Sequence, residues 1–320
     1  MGKPNLEPSP AAEQQPSWPE TQGSNLFQML KALIAFLGCL CLLGCLTVGC
    51  ASKPRQPDLR RQAVKFNDEG YQYYRKSQWR LARHKFTQAL NLNRLIDHRP
   101  GIAANLTNLG AIALEQGNLV EAGRSYQEAL TLQRQLGDPA GVCEALNNLG
   151  TVYVAQGRWT EAQDLYLEAL DYARRLPAGP LLSLTLTHQG DIARHEQNYP
   201  RALDLYREAL SLDTAWKNRA GMAVRWARLG RTYLDLSDYV SARQYLLQAL
   251  EESRRLELTN GIIDALEGLT RLALAQDNRL EAELYGERLL EIYRLRGQAR
   301  EADRLSQFLK LKSTRDNKLP

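Results

Sequence analysis

Three columns of residues recur along this chain at a fixed interval of 40. Glycine stands at Gly70, Gly110, Gly150, Gly190 and Gly230, with Thr270 completing the series. Alanine occupies Ala82, Ala122, Ala162, Ala202, Ala242 and Ala282, and leucine occupies Leu90, Leu130, Leu170, Leu210, Leu250 and Leu290. A period of this size marks a unit that cannot bury its apolar face alone and stacks on copies of itself. The 320 residues would by length suggest two domains, but the columns organise them as one open-ended array.

Within a unit the apolar spacing is helical. In the third, Leu146, Leu149, Gly150 and Tyr153 form one stripe, and Ala162, Tyr166, Ala169 and Leu170 form a second, so each unit is a helix pair. Between them, Gln156-Gly157-Arg158-Trp159-Thr160-Glu161 supplies a glycine stop and then a threonine expected to cap the next helix. Gln116-Gly117-Asn118 places a glycine stop one unit earlier.

These residues resemble the tetratricopeptide repeat, whose pattern puts Trp or Leu, Leu-Gly and Tyr on the first helix and Ala, an aromatic and Ala on the second. The fifth unit carries it as Trp226, Leu229, Gly230, Tyr233, Ala242 and Ala249. The resemblance covers residues 63–297 and implies an all-α fold: a right-handed solenoid of about six helix-turn-helix repeats. The period exceeds the usual value of about 34, so the helices should be longer. Leu136-Gly137-Asp138-Pro139-Ala140-Gly141, with Gly101, Gly221 and Gly261, looks like the variety found in Pins-like and kinesin-light-chain-like scaffolds. The last unit departs from the pattern, with Thr270 for Gly and Gly286 in the aromatic column. Residues 298–320 are read as a capping helix and tail, the stripe Ala299, Ala302, Leu305, Phe308 and Leu309 covering the exposed face.

The amino terminus reads as an address. Residues 1–28 are proline-rich and polar, the composition of a disordered extension, and are read as lying upstream of the true start. Residues 29–49 form a signal peptide, with Met29-Leu30-Lys31 before an uncharged run. Leu46-Thr47-Val48-Gly49-Cys50 resembles a bacterial lipobox, in which the cysteine is lipidated and becomes the first residue. Thr47 stands where leucine is preferred, and Leu42-Leu43-Gly44-Cys45 is a second candidate. Residues 50–62 would then be lipid anchor and tether. An uncleaved helix is the alternative, because Ala32 to Cys50 is 19 uncharged residues, enough for a span. Lys53, Arg55, Arg60 and Arg61 would in that case favour a cytoplasmic body.

Charge and motifs narrow the function. The net charge of +5 arises from 41 basic and 36 acidic residues, a mixed surface that does not indicate a nucleic-acid partner. Four cysteines fall in the apolar run, leaving Cys143 as a small buried hydrophobe and no disulfide framework. No phosphate loop, metalloprotease motif or nucleophile elbow is present in the sequence, so neither catalysis nor a cofactor is expected. His188, Asp191 and His195 share one helix face at the spacing a metal would want, but they offer three ligands beside Arg194, and no metal is expected.

The resemblance further implies a concave face lined by the first helix of each unit. The lining positions are Asn67, Asp68 and Tyr71; Thr107 and Asn108; Asn147 and Asn148; Thr187, His188 and Asp191; Arg228 and Arg231; Glu267 and Arg271. Asn108, Asn148, His188 and Arg228 stand in register as a polar ladder for an extended peptide. Asparagine is unfavourable inside a helix, so its repetition needs a reason. Arg194, Arg228 and Arg231 suggest an acidic ligand segment. The expected protein is a lipid-anchored, noncatalytic scaffold binding protein or peptide partners in envelope assembly. Ala51 after the cysteine favours the outer membrane, with the body facing the periplasm. The competing expectation is an inner-membrane-anchored sensor that binds a signalling peptide or restrains an enzyme.

Overall fold

A computed structural model describes residues 58–177 and 179–315, with side chains described as far as residue 309. The extension, the signal peptide and Cys50 lie outside the described residues. Among the described residues there are thirteen helices and no strand: α1 (Leu59–Arg75), α2 (Trp79–Leu95), α3 (Arg99–Glu115), α4 (Leu119–Leu136), α5 (Pro139–Ala155), α6 (Trp159–Arg175), α7 (Pro180–His195), α8 (Tyr199–Ala215), α9 (Arg219–Asp235), α10 (Tyr239–Arg255), α11 (Thr259–Ala275), α12 (Arg279–Leu295) and α13 (Ala299–Arg315). Consecutive helices pack antiparallel as six pairs, and α13 covers α12. None is long and apolar enough to cross a membrane.

The period that organises the backbone is half of the one visible in the sequence. Residues with left-handed φ fall at Ser77, Asp97, Gly117, Gly137, Gly157, Gln197, Lys217, Ser237, Glu257, Asp277 and Gly297, one every 20 residues. Each follows the end of a helix, and the next residue holds the N-cap position of the following one. Side chains of Asp58, His98, Asn118, Asp138, Asn198, Asn218, Asp238 and Asn278 all accept a backbone N–H from the first turn of that following helix. The series breaks once, at Pro177, whose ring fixes φ negative; α7 instead starts with Pro180 after the extended Gly179.

Two sequence expectations are corrected by this half-unit rule. Thr160 is not a cap, because the cap position is Arg158, whose side chain makes no capping bond, and Thr160 lies inside α6. The tether does not run to Gln62. Asp58 Oδ1 accepts from the Arg61 N–H at 3.1 Å, so α1 begins at Leu59 and the last residues assigned to the tether belong to the array.

In the first four pairs the helices cross where the glycine column meets a ring. A Cβ added at Gly70, Gly110, Gly150 or Gly190 would lie 2.6, 2.8, 2.4 or 2.5 Å from Phe86, Tyr126, Tyr166 or Tyr206, all four rings being buried. In the fifth pair the partner is Leu246, at 2.7 Å from the same construction on Gly230. The sixth pair exchanges the roles: the first helix carries Thr270 and the second carries Gly286, where a Cβ would meet Leu309 of α13 at 2.8 Å. What reads as degeneracy in the sequence is a change of helix for the small residue, which opens α12 to the cap.

Successive pairs pack unequally on their two sides. The first helices touch each other directly (α3 on α5, α5 on α7, α7 on α9, α9 on α11), so they form the inner, tighter side of the curve. Second helices are bridged by long side chains: Arg94 to Glu128 at 3.1 Å, Arg134 to Glu168 at 2.6 Å, and Arg83 to Glu121 and Arg243 to Glu281. Polar pairs also sit in the junctions. Asn93 Nδ2 donates to Asn105 Oδ1 at 2.8 Å. Three units later the equivalent positions hold the buried ion pair Asp213–Arg225 at 3.1 Å, with Arg225 also donating to Ser183.

Two substitutions of opposite sign test this account by chemical denaturation followed by circular dichroism. Gly150→Ala should destabilise the array by roughly 1–3 kcal/mol, because the Tyr166 ring has no room to retreat. Lys217→Gly should stabilise it by about 1 kcal/mol by relieving a left-handed φ of 54°. A neutral result at Gly150 would remove the close crossing as the constraint on the pair.

Candidate functional site

The concave face runs along α1, α3, α5, α7, α9 and α11. At its amino-terminal end the asparagines bond to one another. The exposed Tyr71 hydroxyl donates to Asn108 Oδ1 at 2.9 Å, while Asn108 Nδ2 and Asn105 Nδ2 both donate to Asn67 Oδ1 at 3.1 and 3.0 Å. The repetition of asparagine therefore has a structural reason, which is to join first helices of neighbouring units. Asn147, expected in the groove, is corrected: it is fully buried, donating to Thr185 Oγ1 at 2.8 Å and to the Cys143 carbonyl at 3.0 Å. Thr107 and Asn148 are half-buried and their side chains bond no protein group among the described residues, which leaves both open to a ligand.

Further along, a continuous polar chain crosses three first helices. Tyr206 of α8 donates to Asp191 of α7 at 2.7 Å. Asp191 meets Arg228 of α9 at 3.0 Å, and Arg228 meets Asp264 of α11 at 3.3 Å. Arg231 of α9 donates to Asp264 at 3.1 Å and to Glu267 at 2.9 Å. Tyr293 of α12 closes the series on Glu267 at 2.6 Å. Beside it, Arg194 pairs with Asp235 at 2.6 Å. Asp191 holds the Arg228 guanidinium firmly charged, and burial together with Asp191 pushes the Tyr206 phenol up. The reading of Arg194, Arg228 and Arg231 as a patch for an acidic ligand is thus corrected: carboxylates of this chain already occupy all three. The same pairing takes Arg228 out of the polar ladder.

The three residues at metal-like spacing are engaged separately. His188 stacks on Tyr166 with centroids 4.6 Å apart, His195 stacks on Trp159 at 3.7 Å, and Asp191 belongs to the ion chain. Among the described residues no cluster of three or more metal-type ligands forms. Burial pushes His188 down to about 4, with Arg228 and Arg225 adding to the effect and Asp191 opposing it. Cys143 is buried, its Sγ 3.4 Å from the Ala169 carbonyl oxygen, and burial pushes the thiol up, away from the thiolate a nucleophile needs.

Two clefts open on this face. One, of about 330 Å³, lies among Val154, Trp159, Asp191, Arg194, His195 and Arg231. The other, of about 510 Å³, lies where α11, α12 and α13 meet; Leu289, Tyr293, Leu305 and Phe308 line it, with Arg271, Arg304 and Glu301 also facing it. The sequence positions expected to line the face missed Asp235, Asp264 and the α13 residues. Asp264 and Asp235 fall one helical turn before and after the expected positions, so extending each stripe along the whole helix would have found them.

His188 makes a measurable prediction. Its ring is neutral when folded, while in the unfolded chain it takes up a proton near its ordinary pKa of about 6.5. Between that value and about 4 the unfolded state binds more protons, so stability should fall as pH falls through this window. Thermal melts should lose several degrees across it, and His188→Phe, which keeps a ring on Tyr166, should flatten that loss.

Comparison with known proteins agrees with this architecture. Models of the tetratricopeptide repeat match residues 67–137, 141–215 and 223–255, together more than half of the chain. No curated protein matches in sequence. Among solved structures, the apo form of RapI aligns with a TM-score of 0.62 at 15% identity, covering 75% of this chain and 86% of that one. A Rap protein complexed with competence and sporulation factor gives 0.59 at 12% identity, covering 79% and 75%. Aspartyl phosphate phosphatase F from Bacillus subtilis gives 0.55 at 11%, covering 79% and 70%. At such identities the likeness is one of fold. With three matched repeat models, six stacked helix pairs and a glycine-to-ring crossing in the first four of them, this chain belongs to the tetratricopeptide-repeat family.

Proposed function

We propose that the array is a noncatalytic adaptor that receives an extended segment of a partner protein along its concave face, and that a lipid on Cys50 holds it at the bacterial cell envelope. The observation that carries the first part is the combination of open polar groups and an apolar cleft on one face. Thr107 and Asn148 are free to bond a peptide backbone. The cleft among Leu289, Tyr293, Leu305 and Phe308 takes an apolar side chain. Arg271 and Arg304 beside it form no ion pair among the described residues. They, rather than the paired arginines, suit an acidic residue flanking that side chain. The noncatalytic reading is supported by the pairing of Asp191, Asp235, Asp264 and Glu267 with arginines.

The second reading is a membrane-anchored regulatory sensor that binds a signalling peptide or restrains an enzyme. It is favoured by the likeness in fold to a Rap protein complexed with competence and sporulation factor.

Capture of partners from native membranes by crosslinking tests the groove. Asn148→Ala, Arg271→Ala and Phe308→Ala combined should abolish capture of the partners held by wild type, with helicity unchanged; equal capture would refute the groove as the binding face. The anchor is tested by labelling cells with radioactive palmitate. Label should be lost in Cys50→Ser and retained in Cys45→Ser, and label that survives Cys50→Ser would refute the assignment. Protease accessibility in intact against permeabilised cells then separates a periplasmic body from a cytoplasmic one.

A further inference from the structure

In a solenoid each unit touches its neighbours, yet here the second unit touches the sixth. Arg296, which ends α12, reaches Glu115 at the end of α3, with Nη2 and Oε2 3.1 Å apart across 181 residues of sequence. Asn260, in the first turn of α11, joins both: its Nδ2 donates to Glu115 Oε1 at 3.3 Å and its Oδ1 accepts from Arg296 Nη1 at 2.5 Å. The guanidinium also lies 5.9 Å from the centre of the Trp79 ring, which meets Tyr74 edge-on at 5.1 Å. Arg296 is only 9% exposed in this setting, and burial with Glu115 nearby pushes the Tyr74 phenol up to about 12.

The identity of the touching ends gives the geometry. Lys76, Ser77, Trp79 and Glu115 all lie on the edge where first helices end and second helices begin. Leu256, Leu258, Asn260 and Arg296 all lie on the opposite edge, where second helices end and first helices begin. The array has therefore turned far enough for one edge of its last units to rest on the other edge of its first. The two edges do not fuse into a core; a cleft of about 600 Å³ stays open between them, lined by polar residues as well as Tyr74 and Trp79.

The two residues supplied by the last units also break their columns. Ile96, Leu136, Leu176, Trp216 and Leu256 are apolar where the sixth unit has Arg296. In the column of Asn260 the second to fifth units have Pro100, Ala140, Pro180 and Ala220, and the first has Arg60. In the sixth unit both polar side chains turn to the seam, bonding Glu115 and each other.

We propose that Glu115, Asn260 and Arg296 form a clip that holds the superhelix at a fixed pitch, and that releasing it converts a closed coil into an extended one without loss of any unit. Opening costs only the seam contacts. The rotation needed is spread over every junction between units, each moving slightly, and no intra-pair crossing has to break. Closed, the clip confines the concave face from one side; open, it widens access to it. The proposal does not depend on what that face binds.

Small-angle X-ray scattering and hydrogen exchange on the full chain test it. Glu115→Gln and Arg296→Met should each lengthen the maximum dimension of the body. Each should also raise exchange roughly tenfold on both sides of the seam, at residues 76–79 and 256–260, while α5 to α8 keep wild-type protection. Glu115→Arg combined with Arg296→Glu should restore both readouts, which a merely local packing defect would not allow. Unchanged dimensions with exchange altered only beside the substituted residue, or a charge-exchanged double variant as open as the single ones, would overturn the clip.

Discussion

One steric constraint repeats through the array: where the two helices of a pair cross, one of them has given up its side chain. With Gly150 facing the Tyr166 ring at a separation no Cβ tolerates, the backbone of α5 approaches the ring directly. The pair then has a single depth and a single crossing point. Stacking follows from this, because α5 and α7 come into contact on the inner side only if each sits close on its own partner. The sixth pair departs from this crossing. There Thr270 replaces the glycine of the first helix, while the glycine of the second, Gly286, makes its close approach to Leu309 of α13, so the small residue serves the cap.

The inner side brings first helices together, and with them the polar residues of the concave stripe. Charges crowded onto such a face would repel or attract strongly if left alone. The array resolves this internally: arginines of α9 sit between carboxylates of α7 and α11, and Tyr206 and Tyr293 end the chain at either side. Ion pairs of this kind add little net stability, but they make neighbouring first helices specific for one another and leave the middle of the face nearly neutral. On the proposed reading of this face, a partner would be discriminated by shape and by the few groups left open, chiefly Asn148 and the rim of the cleft under α13, rather than by a broad field.

The repeat was legible because it is written in side-chain identity at fixed spacing; glycine, alanine and leucine columns report packing that is local to each unit. The half-period was not, because it is written in backbone dihedrals. Seven of the eleven left-handed positions hold Ser, Asp, Gln, Lys or Glu, residues that give no sign of a forced turn. For the same reason Thr160 looked like a cap while Arg158 holds that place. On the concave face the stripe was readable but its direction was not: Asn147 and Asn148 are adjacent, and a rotation of one residue about the helix axis sends the first into the junction with Thr185 and leaves the second half-open. The arginines were correctly placed on the face, yet their partners sit on a different helix about 36 residues away, a separation that a reading of each helix by itself does not connect.

The seam alters what kind of object the array is. A solenoid whose units meet only their neighbours has stability that adds along its length, and its ends fray independently of its middle. A contact between Glu115 and Arg296 makes a loop of those interfaces, so a small rotation at any junction is felt at the seam, and the seam in turn limits every junction. The close glycine crossings set the shape of the first five pairs, the ion chain ties together the fourth to sixth, and the seam fixes how tightly the stack is wound. Because the crossings are buried among apolar side chains, while the seam is a few polar contacts bordered by an open cleft, pitch can change without breaking any helix pair.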